Sequence, residues 1–166
     1  MENKLFYDEV TLQRIELMHP SLREELKAQY LEINNMLPKG VRLRFSHTYR
    51  SFKEQNDLYA IGRTVKGTKV TNAKGGQSMH NYGLAFDIVI LLDKDGNGTF
   101  ETASFNIDEN YKKVTQYFKS KGWEWGGDWK SFKDMPHFQK VNGQSVSSLS
   151  KSSKFTDNGK EYPKLK

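Results

Sequence analysis

Apolar positions along the chain change their period several times, and each change marks an element. Leu22, Leu26, Tyr30, Ile33 and Leu37 recur at helical spacing behind the capping-box pattern Ser21-Leu-Arg-Glu24, and Pro38-Lys-Gly40 closes the run. This predicts an amphipathic helix, preceded by a shorter one over Glu9 to Met18. Val41, Leu43, Phe45, His47 and Tyr49 then alternate with Arg42, Arg44, Ser46, Thr48 and Arg50, the period of a strand with one buried face. Arg50 falls at its end. A second capping box, Ser51-Phe-Lys-Glu54, opens a helix expected to reach Gly62, with Gln55 in its first turn.

Periodicity lapses from Arg63 to Gly76, a stretch rich in Gly, Lys and Thr that reads as a long surface loop. Loops of that length in compact domains are often functional. Leu84 to Leu92 is a nearly continuous apolar run, predicted as a strand, and Asp93-Lys-Asp-Gly-Asn-Gly98 is a strong turn signal before a return strand over Thr99 to Phe105. Tyr111, Val114 and Phe118 share one face of a helix expected over Asp108 to Lys121, with Gly122 as its stop. The segment from Trp123 to Lys140 breaks into short extended pieces and turns. Residues 141–166 form a polar, Ser/Lys-rich extension expected to pack partly through Tyr162, Pro163 and Leu165. The pattern as a whole predicts a single α+β domain over residues 1–166, with helices packed on a small, mainly antiparallel sheet.

Composition narrows the chemistry. The 166 residues suffice for one well-buried core, and no repeat or low-complexity block divides them. A net charge of +6 and a pI near 9.3 favour anionic surroundings such as nucleic acid, an anionic membrane or a teichoic-acid-bearing envelope. The basic residues are dispersed, without a basic helix or an aromatic-basic RNA motif, so no nucleic-acid partner is expected. Cysteine is absent, which excludes disulfides, thiolate catalysis and sulfur-ligated zinc. No segment approaches the ~20 apolar residues of a membrane span, so no membrane insertion is expected. "MENKLFYDEV" at the start has no apolar core of a signal peptide, and no export signal is expected in this chain.

One residue is out of place in this pattern. Asp87 lies among Ala85, Phe86, Ile88 and Val89, where an ionised carboxylate is costly unless paired or bound to a metal. His80 precedes it across the turn residue Gly83, and His137 sits in a second apolar piece between Pro136 and Phe138. Two histidines and a carboxylate form a usual ligand set for catalytic zinc, with a fourth position left for water. Plainer readings stand beside this one: Asp87 can pair with Arg42 or Arg50, and a lone histidine among apolar neighbours is usually a satisfied core residue, as expected for His19 and His47.

The stretch "SMHNYGLAFD" fits Ser-x-His-x-x-Gly-x-Ala-x-Asp, and "DMPHF" places Asp134 three positions before His137. Together with "YRSFKEQNDLYAIGR" and "WEWGGDWKSFKDMPHF", these residues resemble the LAS-type zinc peptidases of the D-alanyl-D-alanine carboxypeptidase family. The likeness is strongest to phage-endolysin-like L-alanyl-D-glutamate endopeptidases, and it runs in order over residues 20 to 145. The resemblance implies one zinc ion per chain held by His80, Asp87 and His137, with Asp134 as catalytic acid/base. It implies Arg50 as the group facing an oxyanion or substrate carboxylate, and Ser78 and Gln55 as polar substrate-binding residues. Trp123, Trp125 and Trp129 are read as core and cleft wall before a sugar platform.

The activity implied is hydrolysis of a peptide bond in the peptidoglycan stem, between L-Ala and D-Glu, by a monomeric enzyme; removal of a terminal D-Ala is the alternative within the class. A non-catalytic zinc-containing binding module is the alternative outside it, because the fold also resembles the signalling domain of Hedgehog proteins. The presence of Asp134 beside the ligands argues against that module. Location follows as an expectation: cytoplasmic accumulation with phage-type release to the wall, or export through a signal trimmed from this chain. Finally, Asp93, Asp95, Asn97, Gly98 and the Thr99 carbonyl occupy positions 1, 3, 5, 6 and 7 of a calcium loop, but position 12 is Ser104 instead of Glu. That stretch is either a weak calcium site or an Asx/Gly hairpin tip.

Overall fold

The apolar run at the centre of the chain becomes the central strand of the sheet. In the computed structural model, which describes residues 7–166, Ala85–Leu92 (β2) pairs along one edge with Val41–His47 (β1). Its other edge pairs with His137–Gln139 (β5) at the start and Thr102–Ser104 (β3) at the end. Glu124–Trp125 (β4) adds to β5, and every one of these pairings is antiparallel. β3 is shorter than the return strand expected over Thr99 to Phe105, because the turn residues through Glu101 are occupied with their own side-chain hydrogen bonds.

Alternation along β2 sorts its side chains into two layers. Phe86, Ile88 and Ile90 face the helices Arg23–Asn35 (α2) and Glu109–Ser120 (α4), whose Leu26, Tyr30, Ile33, Tyr111, Val114 and Phe118 complete the core. Phe86 is its hub, stacked between Phe45 at 4.2 Å and Phe138 at 5.3 Å, with Phe118 and Trp123 edge-on. α4, expected over Asp108 to Lys121, starts after an Asp108 cap that accepts from Tyr111 N–H. α2 does not use the expected Ser21–Glu24 capping box: it follows a 3-10 turn, Pro20–Leu22, and the Ser21 hydroxyl is bonded to His19.

β1 is an edge strand, and side chains close its outer edge. Leu43 N–H donates to Asn34 and Phe45 N–H to the Thr11 hydroxyl, while Tyr30 and Arg14 donate to the Leu43 and Phe45 carbonyls. Thr11 and Arg14 belong to the short helix Glu9–Ile15 (α1). The alternation predicted through Tyr49 holds only to Phe45. A bulge between Phe45 and His47 inserts one residue, so Thr48 turns inward and His47 turns out to the opposite face.

The C-terminal extension is more ordered than its composition suggests. Val146–Lys151 (α5) is followed by a hairpin of Lys154–Asp157 (β6) and Lys160–Pro163 (β7), and Leu149 and Tyr162 are fully buried. Tyr162 donates to the Leu17 carbonyl, Arg23 pairs with Asp157 at 2.8 Å, and His19 bonds the Pro163 carbonyl. His19 is thus a satisfied core histidine, as expected. Among the described residues, no helix is long and apolar enough to cross a membrane.

Candidate active site

Register brings the site together. Asp87 lies directly opposite His47 on β1 and His137 on β5, so three polar residues form one row across three strands, on the face away from the core. The bulge in β1 is what puts His47 in that row; without it Ser46 would face Asp87. His47 is accordingly no core histidine: its side chain is 59% exposed, with Nδ1 3.8 Å from Asp87 Oδ2.

His80 arrives from outside the sheet. The Phe52–Ala60 helix (α3), opened by the predicted Ser51–Glu54 box, is followed by a long loop and then the 3-10 turn Met79–Tyr82. Ser78 caps that turn by accepting from His80 N–H, and Asn81 returns the bond to Ser78 N–H. Asn81 also accepts from Gly76 N–H and donates to the Arg50 carbonyl, tying the loop, the turn and the end of β1 together. Gly83 ends the turn at φ 72°, with its Cα so close to His19 that a Cβ would strike the His19 backbone nitrogen.

His80 Nε2 stands 3.1 Å and His137 Nδ1 3.2 Å from Asp87 Oδ1. Both histidines are buried, and Asp87 is 15% exposed. The outer ring nitrogens fix the tautomers: His80 Nδ1 bonds the Thr48 carbonyl at 2.6 Å, and His137 Nε2 bonds the Gln139 side-chain oxygen at 2.8 Å. Gln139 is itself oriented by donating its amide to Glu124. With both outer nitrogens held by acceptors, the two inner ring nitrogens and the Asp87 carboxylate converge on one point, an arrangement that can hold a cation between them. Charges respond accordingly. Burial would raise the Asp87 pKa, but His80 and His137 more than reverse it and hold the carboxyl ionised. Burial would lower that of His137, but its bond to Asp87 outweighs burial and raises it. His80, Asp87 and His137 each offer a ligand atom within 4.8 Å of the others, a donor set that fits zinc.

Around this cluster runs a cleft of about 670 Å³, lined by Arg50, Ser78, Trp129 and Asp134 among others. Asp134 is 49% exposed, with Oδ2 3.8 Å from His137 Nδ1. Burial and the Asp87 charge raise its pKa, against the opposing pull of the histidines and Arg50. Its backbone is locked by Asp134 N–H donating to the Gly126 carbonyl and His137 N–H to the Asp134 carbonyl; a Cβ on Gly126 would strike the latter oxygen. Tyr111 and Trp125 both donate to the Met135 carbonyl, anchoring the same segment to α4 and β4.

Gln55 departs from expectation. It is fully buried and spends its amide on Arg50 Nη1 at 2.9 Å and the Ala73 carbonyl, so it holds the arginine instead of facing substrate. Asp87 is partnered by His80 and His137 and approached by His47, while Arg50 acts on it only through its charge. Trp123 is core, Trp125 braces the Asp134 segment, and Trp129 walls the cleft 5.3 Å from the His137 ring. Sequence reasoning missed Gln139 and Asn81; their only signal is proximity in sequence to His137 and His80. At the hairpin tip, Asp93, Asp95 and Glu101 approach one another, but Asp93 accepts from the N–H groups of Asn97 and Gly98, and the Asn97 oxygen accepts from Thr99. These bonds are those of the Asx/Gly turn.

Comparison with known proteins bears on the same residues. Residues 71–140 match a family model described as D-alanyl-D-alanine carboxypeptidase. The peptidoglycan L-alanyl-D-glutamate endopeptidase CwlK of Bacillus subtilis (strain 168) is 41% identical over 127 residues, covering 75% of this chain and 74% of that protein. An L-alanyl-D-glutamate peptidase of Listeria phage A118 is 37% identical over 87 residues, 49% of this chain but 29% of the phage protein. The crystal structure of the Serratia marcescens L-Ala D-Glu endopeptidase ChiX superposes with a TM-score of 0.55 at 22% identity, covering 81% of this chain and 88% of the other, a likeness of fold.

Proposed function

The chain belongs to the D-alanyl-D-alanine carboxypeptidase family of peptidases, and from that premise we propose that it is a zinc-dependent peptidoglycan hydrolase cutting the stem peptide between L-Ala and D-Glu. The observation that carries the reading is the convergence of His80, Asp87 and His137, a donor set fit for a metal ion, at the floor of a cleft walled by Arg50 and Asp134. Choice of bond rests on the names of the relatives.

His80, Asp87 and His137 would hold the zinc, which supplies Lewis-acid polarisation of the scissile carbonyl. Asp134 does the proton work. Half exposed to the cleft with Oδ2 3.8 Å from His137 Nδ1, it is placed to accept a proton from the attacking water and deliver it to the amine nitrogen as the C–N bond breaks. Arg50, pinned by Gln55, presents a fixed positive charge to the developing oxyanion or to a substrate carboxylate. Ser78, spent on capping through its acceptor side, keeps a hydroxyl proton to offer the cleft. Trp129 walls the cleft beside His137.

Digestion of purified muropeptides followed by mass spectrometry tests the reading. New D-Glu amino termini are expected. Release of terminal D-Ala alone would move the activity to the carboxypeptidase alternative, and binding without any new terminus would leave a binding module.

A further inference from the structure

The cleft continues past Asp134. Val70, Thr71, Ala73, Gln77, Trp129 and Asp134 also line a shallower groove of about 900 Å³ that runs outward to Asn72, Phe132 and Lys133. Phe132 is 81% exposed and Val70 60% exposed, so the groove's outer part presents two large apolar side chains to water. Phe132 also sits at φ 52°, a left-handed conformation that a bulky side chain adopts only at a cost. Neither fact serves the core, and the core cluster does not include Phe132.

Direction follows from the proton. Asp134 must reach the leaving amine, so the amine side of the scissile bond lies against it, and a groove that starts at Asp134 receives the residues that follow. In a stem peptide these are D-Glu, with a second carboxyl group, and then a diamino acid with an aliphatic side chain. Phe132 and Val70 match the aliphatic chain, and the Lys133 cation matches the carboxylate. We propose that Phe132, Val70 and Lys133 form a leaving-group-side subsite that grips the diamino acid and the D-Glu carboxylate, so that the enzyme selects stems extended beyond D-Glu. This rests on the peptidase reading above.

Three synthetic substrates separate the possibilities: N-acetylmuramyl-L-Ala-D-Glu, the same compound extended through the D-Glu γ-carboxyl by a diamino acid, and the extended peptide without its sugar. In the wild type, kcat/KM for the extended sugar peptide should exceed that for the short one by about fivefold or more. Phe132→Ala should bring this ratio towards one, chiefly by raising KM for the extended substrate, and Phe132→Tyr should keep it. A fall in kcat on both sugar peptides with the ratio intact would reduce Phe132 to a support for Asp134 and overturn the proposal. So would a wild-type ratio of one, or loss in Phe132→Ala of an advantage conferred by the sugar, which would put the groove on the acyl side. Failure of the wild type to cut any of the three would sink the L-Ala-D-Glu endopeptidase reading itself.

Discussion

Asp87 shows how one residue can organise a site. An ionised carboxylate in an apolar strand is tolerable only because His80 and His137 turn ring nitrogens onto it, and those rings are held by acceptors behind them, the Thr48 carbonyl and the Gln139 amide. Removing such an outer acceptor weakens a metal site without touching a ligand. Gln139→Ala should therefore lower zinc affinity by about tenfold, read by competition with a chromogenic chelator. Unchanged affinity would mean that solvent replaces the amide at no cost. The ligand candidates were legible because motif spacing is a property of the chain itself. Gln139 and Asn81 were not, since their roles depend on what lies across the strand or turn from them.

At the scale of elements, a bulge and a glycine decide what faces the cleft. The bulge after Phe45 was invisible in the alternation, and extrapolating the period put His47 in the core when it lies in the site. Alternation fixes a face only while pairing stays regular. Gly83 was legible as a turn, but the reason for it is tertiary: its left-handed backbone presses against His19, which the C-terminal hairpin in turn bonds through Pro163. Gly83→Ala adds a disfavoured φ and a backbone clash, so stability should fall by about 2 kcal/mol or more in urea titration, with zinc content falling as His80 shifts. A variant as stable as wild type would show that the turn can move away from His19. The Ser51–Glu54 box formed where Ser21–Glu24 did not, because His19 competes for the Ser21 hydroxyl.

The molecule as a whole is held by contacts that composition does not reveal. Asp8 caps α1 and makes two 2.9 Å bonds to Arg44 on β1 with its side chain 4% exposed. Burial alone would raise its pKa, but Arg44 and Thr11 outweigh it and leave the net shift downward. A depressed acid pKa stabilises the fold fully above the unfolded value of about 4 and loses that contribution as pH falls through the folded value. Wild type should thus lose more stability than Asp8→Asn between about pH 5 and pH 2, while at neutral pH the variant starts about 2 kcal/mol less stable. Parallel losses in chemical denaturation would remove Asp8 from the acid response. The helix-on-sheet architecture was readable because its periods are long and clean; the C-terminal hairpin was not, because few apolar residues mark it and its anchoring through Tyr162, Asp157 and Pro163 depends on Leu17, His19 and Arg23.

On the proposed mechanism, metal binding and proton transfer reside in different residues of one cleft, the first in His80, Asp87 and His137, the second in Asp134. Asp128 supplies a control: it is half exposed and paired with Lys119 at 2.6 Å, outside the cleft lining. The measurement is amine release from purified peptidoglycan, with zinc content determined on the same samples, for Asp134→Asn, Asp128→Asn and His137→Ala. His137→Ala should lose zinc and activity together, Asp134→Asn should keep zinc while turnover falls by about 10²-fold or more, and Asp128→Asn should stay near wild type. Full turnover in Asp134→Asn, or full zinc content in His137→Ala, would contradict it.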